Sequence, residues 1–562
     1  NRVCQNCKTE FRIEPEDFAF YEKMRVPPPT FCPECRLQRR LMFRNERSLY
    51  KRKCGLCGND IISVHSPDKP YKVYCNPCWW SDKWDASAYA AEYDPSRNFF
   101  EQFRELQQKV PLMPLMVDYP TMIQSDYTNH AGYLKNCYLV FNTDEAVNCA
   151  YLVMGAYSKE CMDGIRVHAS ELSYENINVE KSYGVHFSED IESSHNIYFS
   201  KNLTGCTDCF GCVNLRNRQY HIFNERYSPE EYRKKIQEYD IGSFRARERI
   251  EEEARRFWLK FPHKAFHGVH NVNASGEYLY HTKNVRESWM VNDSENLKYS
   301  YLITVKYAKD SQDYTEWGRN AERMYECITC GQEANNIRMC YCVWNGVFDV
   351  EYSMFVLSAH HMFGCVGMRK KEYHILNKSY SKEEYEALRE RIVADMQERP
   401  YRDARGREFS YGEFFPYDVS LFDYNETTAQ DYFPLAKEAA LERGWRWKDK
   451  EDTRYQVTMP ASQLPDHVKD AGDSVAKEII ECASCGRAYR IIGQELDLLR
   501  RLGLPLPRVC FECRHRARLS RMSPMRFYDR VCAKCGNPIR TSYAPERPEI
   551  VYCESCFNRE VV

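Results

Sequence analysis

Eight Cys-x-x-Cys pairs crowd the two ends of this 562-residue chain. The first four are Cys4/Cys7, Cys32/Cys35, Cys54/Cys57 and Cys75/Cys78; the last four are Cys482/Cys485, Cys510/Cys513, Cys532/Cys535 and Cys553/Cys556. Such a pair offers two sulfurs from one tight turn, and two pairs complete the tetrahedron of soft ligands that Zn²⁺ takes. The spacing therefore predicts four zinc ions per chain. A set of four thiolates leaves no coordination position open, so these ions are expected to be structural and not catalytic. Regular pairs, within an odd total of 27 cysteines, argue for metal in a reducing, cytoplasmic setting over a disulfide framework. Sequential pairing would make two sites in series at each end, whereas a cross-brace would join the first pair to the third. Sequential pairing is preferred, because each four-cysteine unit contains its own hairpin-like segment.

The two ends are copies of one another. Adding 478 to each cysteine number of the first set gives the second set, and Arg36, Arg40, Leu41 and Tyr74 map onto Arg514, Arg518, Leu519 and Tyr552. The stretches "CQNCKTEFRIEPEDFAFYEKMRVPPPTFCPECR" and "CASCGRAYRIIGQELDLLRRLGLPLPRVCFECR" resemble the bacterial "probable zinc-ribbon" family, with its knuckle, aromatic residue, short helix and closing CP-x-CR. That resemblance implies a treble-clef or ribbon fold with metal at Cys4, Cys7, Cys32 and Cys35 and at their four counterparts. It covers under a fifth of the chain and implies no activity. The second copy departs from the pattern at Phe511, where the first has Pro33.

Charge follows the same division. Residues 1–80 hold 15 basic and 9 acidic side chains, as do residues 481–562, so each end carries +6 and the middle −14 within a net −2. Basic ends on an acidic body direct any polyanion to the ends. After Cys35 the sequence "RLQRRLMFRNERSLYKRK" is helix-permissive and sets Arg36, Arg40, Arg44 and Arg47 on one face; Arg514, Arg518 and Arg521 repeat the stripe. Clustered arginines bind phosphate through bidentate contacts and counterion release, with Phe43, Tyr50, Trp79 and Trp80 available for stacking on bases. The competing reading is a helix face that docks on the acidic body.

The middle of the chain repeats too. "GCVNLRNRQYHIFNERYSPEEY" from Gly211 returns as "GCVGMRKKEYHILNKSYSKEEY" from Gly364, an offset of 153. Each copy closes on an N-cap serine with an acidic residue three positions on, Ser228/Glu231 and Ser381/Glu384. Upstream lie short aromatic and β-branched units such as "NCYLVF", "SYGVHF" and "HNIYFS", with Cys137, Cys149 and Cys161 recurring every 12 residues. These read as strands, and two strands per turn give a coil of about 24 residues in a parallel β-helix. Ordinary antiparallel sheets are the alternative.

The expected architecture is therefore mainly β: a duplicated parallel β-helix-like solenoid body with inserted helices, flanked by tandem Cys4 zinc-ribbon or treble-clef modules. Its divisions are a zinc module at 1–85, a helical or extended linker at 86–130, solenoid halves at 131–226 and 271–377 around a helical insertion at 227–270, a helical and polar tether at 378–480, and the second module at 481–562. Cys206/Cys209/Cys212, Cys327/Cys330 and Cys340/Cys342 are expected to pack inside the coil, not to bind a fifth metal. His221 and His374 match across the repeat and read as packing; His360/His361 have no partner in the first copy.

No nucleophile elbow, glycine-rich phosphate loop or metalloprotease helix is present, and no apolar run approaches the roughly eighteen residues that cross a bilayer. The sequence thus points to a non-enzymatic zinc scaffold with no membrane partner. RNA or single-stranded DNA is its first candidate ligand, a protein partner or self-assembly its second, and a carbohydrate-active β-helix enzyme the distant third.

Overall fold

The computed structural model describes residues 1–449 and 455–561. It is mainly β, built around two large sheets. One has 12 strands between Thr128 and Arg226, the other 15 strands between Gly268 and Ser379. Pairing within both is parallel except at their far ends, where the hairpins Gln219–Ile222/Glu225–Arg226 and Glu372–Ile375/Lys378–Ser379 turn back antiparallel. Each hairpin runs into a helix through a capping box, Ser228 with Glu231 and Ser381 with Glu384, as the sequence reading expects.

The register of the first sheet is 12. Tyr183, His195, Thr207 and Gln219 stand in one line of Cα partners, and Glu189 pairs with Lys201. The 24-residue spacing inferred from two strands per turn is therefore halved. The second sheet is less regular: its step is 11 at Gly268 to Leu279, 12 at Glu277 to Trp289, 14 at Glu295 to Lys309 and 13 at Ala321 to Ala334.

The side-chain period also differs from strand alternation. Every third residue from His130 to Phe223 takes a left-handed φ between 45° and 66°, and the residue following each one, from Ala131 to Cys212, is buried. Left-handed backbone costs most residues about 1–2 kcal/mol, so something must recur at the same period to offset it. Part of that compensation is a ladder of small polar side chains on the buried positions. The amides of Ser182, Ser194 and Cys206 donate to the Oγ atoms of Ser170, Ser182 and Ser194 at 3.2, 3.1 and 3.0 Å. Each serine Oγ in turn donates to the carbonyl two residues back, as from Ser182 to Glu180 at 2.8 Å.

Cysteines do the same work where they replace serine. The Sγ atoms of Cys137, Cys149 and Cys161 donate to the carbonyls of Lys135, Val147 and Lys159. Between the polar positions Val179, Val185, Ile191, Ile197 and Leu203 fill the interior. His221 and His374 occupy matching positions, each with Nδ1 on the carbonyl two residues back. His360 and His361 lie on the outer side of the second sheet, stacked on Phe348 and Tyr373.

Two amphipathic helices lead into the sheets, Phe99–Lys109 capped by Asn98 and Phe244–Trp258 capped by Ser243. Asn98 caps the first through its side chain, whose Oδ1 accepts from Phe100 N at 2.9 Å. Pro434 separates two short helices, Thr428–Tyr432 and Lys437–Glu442. Of the polar tether, residues 450–454 lie outside the described residues. Beyond them Ala461, Leu464, Val468 and Val475 are buried in a core shared with Leu496, Leu499 and Leu506, so this stretch packs beneath the second cysteine module.

The two cysteine modules dock crosswise. The helix Pro33–Leu41 of the first module lies against Ala308–Gly318 and Ala321–Gly331 of the second sheet, while the helix Phe511–Arg521 of the second module lies against Lys159–His168 of the first sheet. Each module also hydrogen-bonds the chain leading into the opposite sheet. Val73 bridges Leu112, ahead of the first sheet, and Val551 pairs with His263, ahead of the second. Each module thus spans both halves. The modules also touch each other: Glu34 takes Arg526 Nε at 2.8 Å, and Glu512, the copy of Glu34, faces Arg47 at 3.7 Å. The exchange of docking partners between the two modules, each helix on the other half's sheet, is that of a two-fold arrangement within one chain.

Candidate metal centres and their arginine helices

Four groups of cysteines bring their sulfurs within 4.8 Å of one another: Cys4/Cys7/Cys32/Cys35, Cys54/Cys57/Cys75/Cys78, Cys482/Cys485/Cys510/Cys513 and Cys532/Cys535/Cys553/Cys556. The grouping is sequential, so no cross-brace forms. No other group of three or more metal-ligating side chains occurs among the described residues, and the cysteines at 206–212 and 327–342 are interior side chains of the sheets.

A local fold explains each tetrad. The first pair of each sits in a turn, as where Lys8 N donates to Cys4 O at 3.1 Å and Gly58 N to Cys54 O at 3.0 Å. The second pair opens a helix whose N-cap is itself a member of the tetrad: Cys32, Cys75 and Cys510. Amides converge on the first sulfur, with Cys32 N on Cys4 Sγ at 3.3 Å and Cys75, Cys510 and Cys553 N on Cys54, Cys482 and Cys532 Sγ at 3.2 Å.

The dimensions fit a zinc ion. Four sulfurs about 2.3 Å from a tetrahedral centre stand about 3.8 Å apart. The sulfur pairs Cys7–Cys32, Cys57–Cys75, Cys485–Cys510 and Cys535–Cys553 measure 3.7, 3.8, 3.8 and 3.8 Å, far beyond a disulfide bond. Protonation tells the same story. Burial opposes ionisation of Cys54, Cys532 and Cys482, yet the converging amides hold them near 6, 6 and 7. Hydrogen bonds from Cys32 and Cys35 pull Cys4 below the usual thiol range. Burial and the neighbouring thiols push Cys78 and Cys556 the other way, to about 12. A tetrad this tight cannot hold four thiolates unless a cation compensates them.

The arginine stripe lies inside the protein. Arg36, Arg40 and Arg44 are at most 1% exposed, and Arg518 is fully buried. Arg36 Nη2 meets Asp313 at 2.8 Å, and Arg40 meets Asp313 at 3.2 Å and Glu326 at 2.7 Å. Arg39, which the stripe omits, joins Glu326 at 3.0 Å to Glu413 at 2.9 Å. Arg44 reaches Glu316 at 3.0 Å and Glu46 at 2.7 Å, and Arg47 pairs with Asp431. The other end repeats the pattern. Arg514 meets Asp163 at 2.9 Å and Glu495 at 3.0 Å, Arg518 joins Asp163 at 3.0 Å to Glu175, and Arg521 reaches Glu189 at 3.4 Å and Glu251 at 3.3 Å.

This corrects the expectation that these seven residues hold nucleic acid. Their guanidinium groups are paired with carboxylates of the body, and most have no solvent side from which to meet a phosphate. The helix is also shorter than the stripe. It ends at Leu41, and the chain then turns to bury Phe43 against Phe414 at 5.0 Å, so Arg44 and Arg47 come from the following segment. Of the aromatics, Trp79 is buried with Nε1 on Pro111 O at 3.1 Å, and Tyr50 donates to Glu426. Trp80 alone of the four stays appreciably exposed, at 37%.

The seats have a common origin in the body's register. Asp163 and Glu175 stand one register step of 12 apart, and Asp313 and Glu326 one step of 13 apart. All four occupy left-handed positions. Like charges on adjacent strands repel, and burial raises Glu326 and Glu175 although the arginines pull them back down. Guanidinium groups inserted between them offset the repulsion.

No family model matches the chain, and no curated protein matches it. A solved structure, that of a "putative acetyltransferase" from Desulfovibrio desulfuricans G20, aligns with 49% of this chain and 84% of its own at 8% identity and a TM-score of 0.11. So slight a likeness carries no argument about fold or activity. Among the described residues no helix is long and apolar enough to cross a membrane.

Proposed function

We propose that this chain is a zinc-stabilised scaffold: a duplicated β-solenoid, with 12-residue coils in its first half and coils of 11 to 14 in its second, clasped at both halves by zinc-ribbon modules of the "probable zinc-ribbon" type. The observation that carries this reading is the continuity between metal site and clasp. Cys35 and Cys513 are followed directly by Arg36 and Arg514, which lie in the acidic seats of the body. The register of 12 and the left-handed residue at every third position support the solenoid, because a parallel strand can meet the residue 12 later only if the chain returns to the same side within that length.

The scaffold reading favours a protein partner over a polyanion. With the arginines buried, the stripes offer no phosphate seat, while Tyr133, Tyr157 and Tyr183 stay exposed along the first sheet, aromatic area of the kind that protein interfaces use. The free cysteines in all four tetrads suit a reducing compartment. Elemental analysis of protein purified under reducing conditions tests the reading, with four zinc ions per chain expected. Two or fewer, or RNA carried through purification and retained at moderate salt, would overturn it.

A further inference from the structure

In each tetrad the second cysteine is the exposed one: Cys7, Cys57, Cys485 and Cys535. Each also has the third cysteine as a close neighbour, with Cys7 and Cys32 sulfurs 3.7 Å apart and Cys485 and Cys510 sulfurs 3.8 Å apart. Cys32 and Cys510 are the N-caps of the two arginine helices, whose first turns begin with Arg36 N on Cys32 O and Arg514 N on Cys510 O, both at 3.0 Å. A single residue therefore holds the metal, starts the helix and stands next to the accessible sulfur.

We propose that Cys7 and Cys485 are oxidation sites for hydroperoxides, and that their oxidation releases the arginine helices from the acidic seats. The proposal rests on the zinc reading of the tetrads. The exposed thiolate attacks one peroxide oxygen and the O–O bond breaks, leaving a sulfenic acid on Cys7 and a hydroxide that takes a proton to become water. Cys32 thiolate then attacks Cys7 sulfur, the S–O bond breaks, and a second hydroxide leaves as water. Two thiolates give up two electrons, hydrogen peroxide accepts them with two protons from solvent, and Zn²⁺ departs because only two of its ligands remain anionic. Cys485 and Cys510 follow the same course.

The structural consequence follows from geometry. A disulfide draws the two sulfurs from 3.7 Å to about 2.05 Å, which displaces the cap of the helix and leaves its first turn unanchored. Buried ion pairs offset their desolvation only while their geometry is held closely, so Arg36, Arg39 and Arg40 lose their hold on Asp313, Glu326 and Glu413. The paired acidic steps then face water as a new anionic surface. The other two tetrads serve as an internal contrast. Their third cysteines, Cys75 and Cys553, precede Asn76–Trp79 and Glu554–Val561, neither of which carries an arginine to an acidic seat.

The experiment uses the zinc-loaded full chain, titrated with hydrogen peroxide. It follows zinc release, disulfides by peptide mass spectrometry, and amide exchange over 33–41 and 511–521. Expected are Cys7–Cys32 and Cys485–Cys510 disulfides, loss of their two zinc ions, and a fall in protection of both helices of about tenfold or more, restored by thiol reductant with zinc. The variant Cys7→His with Cys485→His keeps a zinc-competent set of three thiolates and an imidazole and should keep both helices protected. Should that variant fold poorly, the parent's disulfide map and exchange still decide. Disulfides with unchanged helix protection, zinc loss without those disulfides, or equal release from a folded histidine variant would overturn the proposal. A chain that takes up no zinc overturns the scaffold reading itself; zinc uptake with no response to peroxide overturns only this inference.

Discussion

Replacing Asp313 by alanine tests whether the first arginine helix is held by its seat. Three cations, Arg36, Arg39 and Arg40, meet three carboxylates, Asp313, Glu326 and Glu413, all at most 4% exposed at the side chain. The cluster is neutral as it stands. Removing Asp313 deletes the partners of Arg36 at 2.8 Å and Arg40 at 3.2 Å, and leaves Arg36 with Phe31 O at 2.7 Å and a distant Glu326 at 3.9 Å. One uncompensated positive charge then sits in the interior. Breaking a buried pair from one side costs about 3–5 kcal/mol, which at about 1.4 kcal/mol per tenfold is on the order of 10²- to 10³-fold in the opening equilibrium. Because a chain of several parts need not unfold in one step, the fitting assay is local amide exchange over residues 33–44 in the zinc-loaded protein. Asp163→Ala should do the same to residues 511–521 and spare the first helix. A change below tenfold in either case, or equal loosening of both helices by one substitution, would refute the view that the seats hold the clasps.

Two further outcomes follow from the interior. Gly164 points inward, where an added Cβ would lie 2.6 Å from Val167 Cγ2 and 2.8 Å from Leu152 Cδ1, so Gly164→Ala should overpack the first sheet and cost about 1–3 kcal/mol, read as lost protection of the surrounding strands. His186 is buried with Nδ1 unpartnered, and burial alone holds its pKa down to about 3, against 6.5 when unfolded. Between those values the unfolded chain binds the extra proton, so this contribution to stability is present above about pH 6.5 and lost as pH falls toward 3. His186→Phe should therefore gain on the parent as pH drops from 7 to 5; comparing denaturation midpoints of the two cancels the metal loss they share.

The cysteine tetrads were legible because each is a local device: two knuckles and a short span between them specify it. The capping serines were legible for the same reason. The body's period was harder. Ser188, Ile191, Ser194, Ile197, Ser200, Leu203, Cys206, Cys209 and Cys212 stand three apart in plain sequence, but a search for two-residue alternation passes over them. The left-handed positions that create the period are taken by Asp, Glu, Phe and Tyr as readily as by Asn or Gly, so residue propensity does not reveal them. The arginine seats were least legible, because Asp163 and Asp313 stand far along the chain from the arginines they meet. The only advance sign was an acidic body between basic ends, which fits docking as well as it fits a free basic surface. Arg39, off the chosen face, is as deeply seated as its neighbours.

Crossed docking makes a prediction that simple end-to-end modules would not. The second module touches the first sheet through Arg514 and Arg518 and the chain ahead of the second sheet through Val551. Its two tetrads divide that labour, since Cys510 caps the arginine helix, while Cys553 follows the strand Ile550–Tyr552 that pairs with Pro262–Lys264. Cys510→Ser should therefore loosen residues 511–521 and the Asp163–Glu175 seat, but leave 262–264 protected. Cys553→Ser should loosen 262–264, where Ala265 N donates to Tyr552 O at 2.8 Å, and leave the Asp163 seat closed. One lost thiolate weakens zinc binding at that tetrad, and at a structural site the binding free energy is folding free energy. Amide exchange on the two variants reads both regions at once. If either substitution loosened both regions equally, the two tetrads would form one cooperative unit, and the separate roles assigned to them would be wrong.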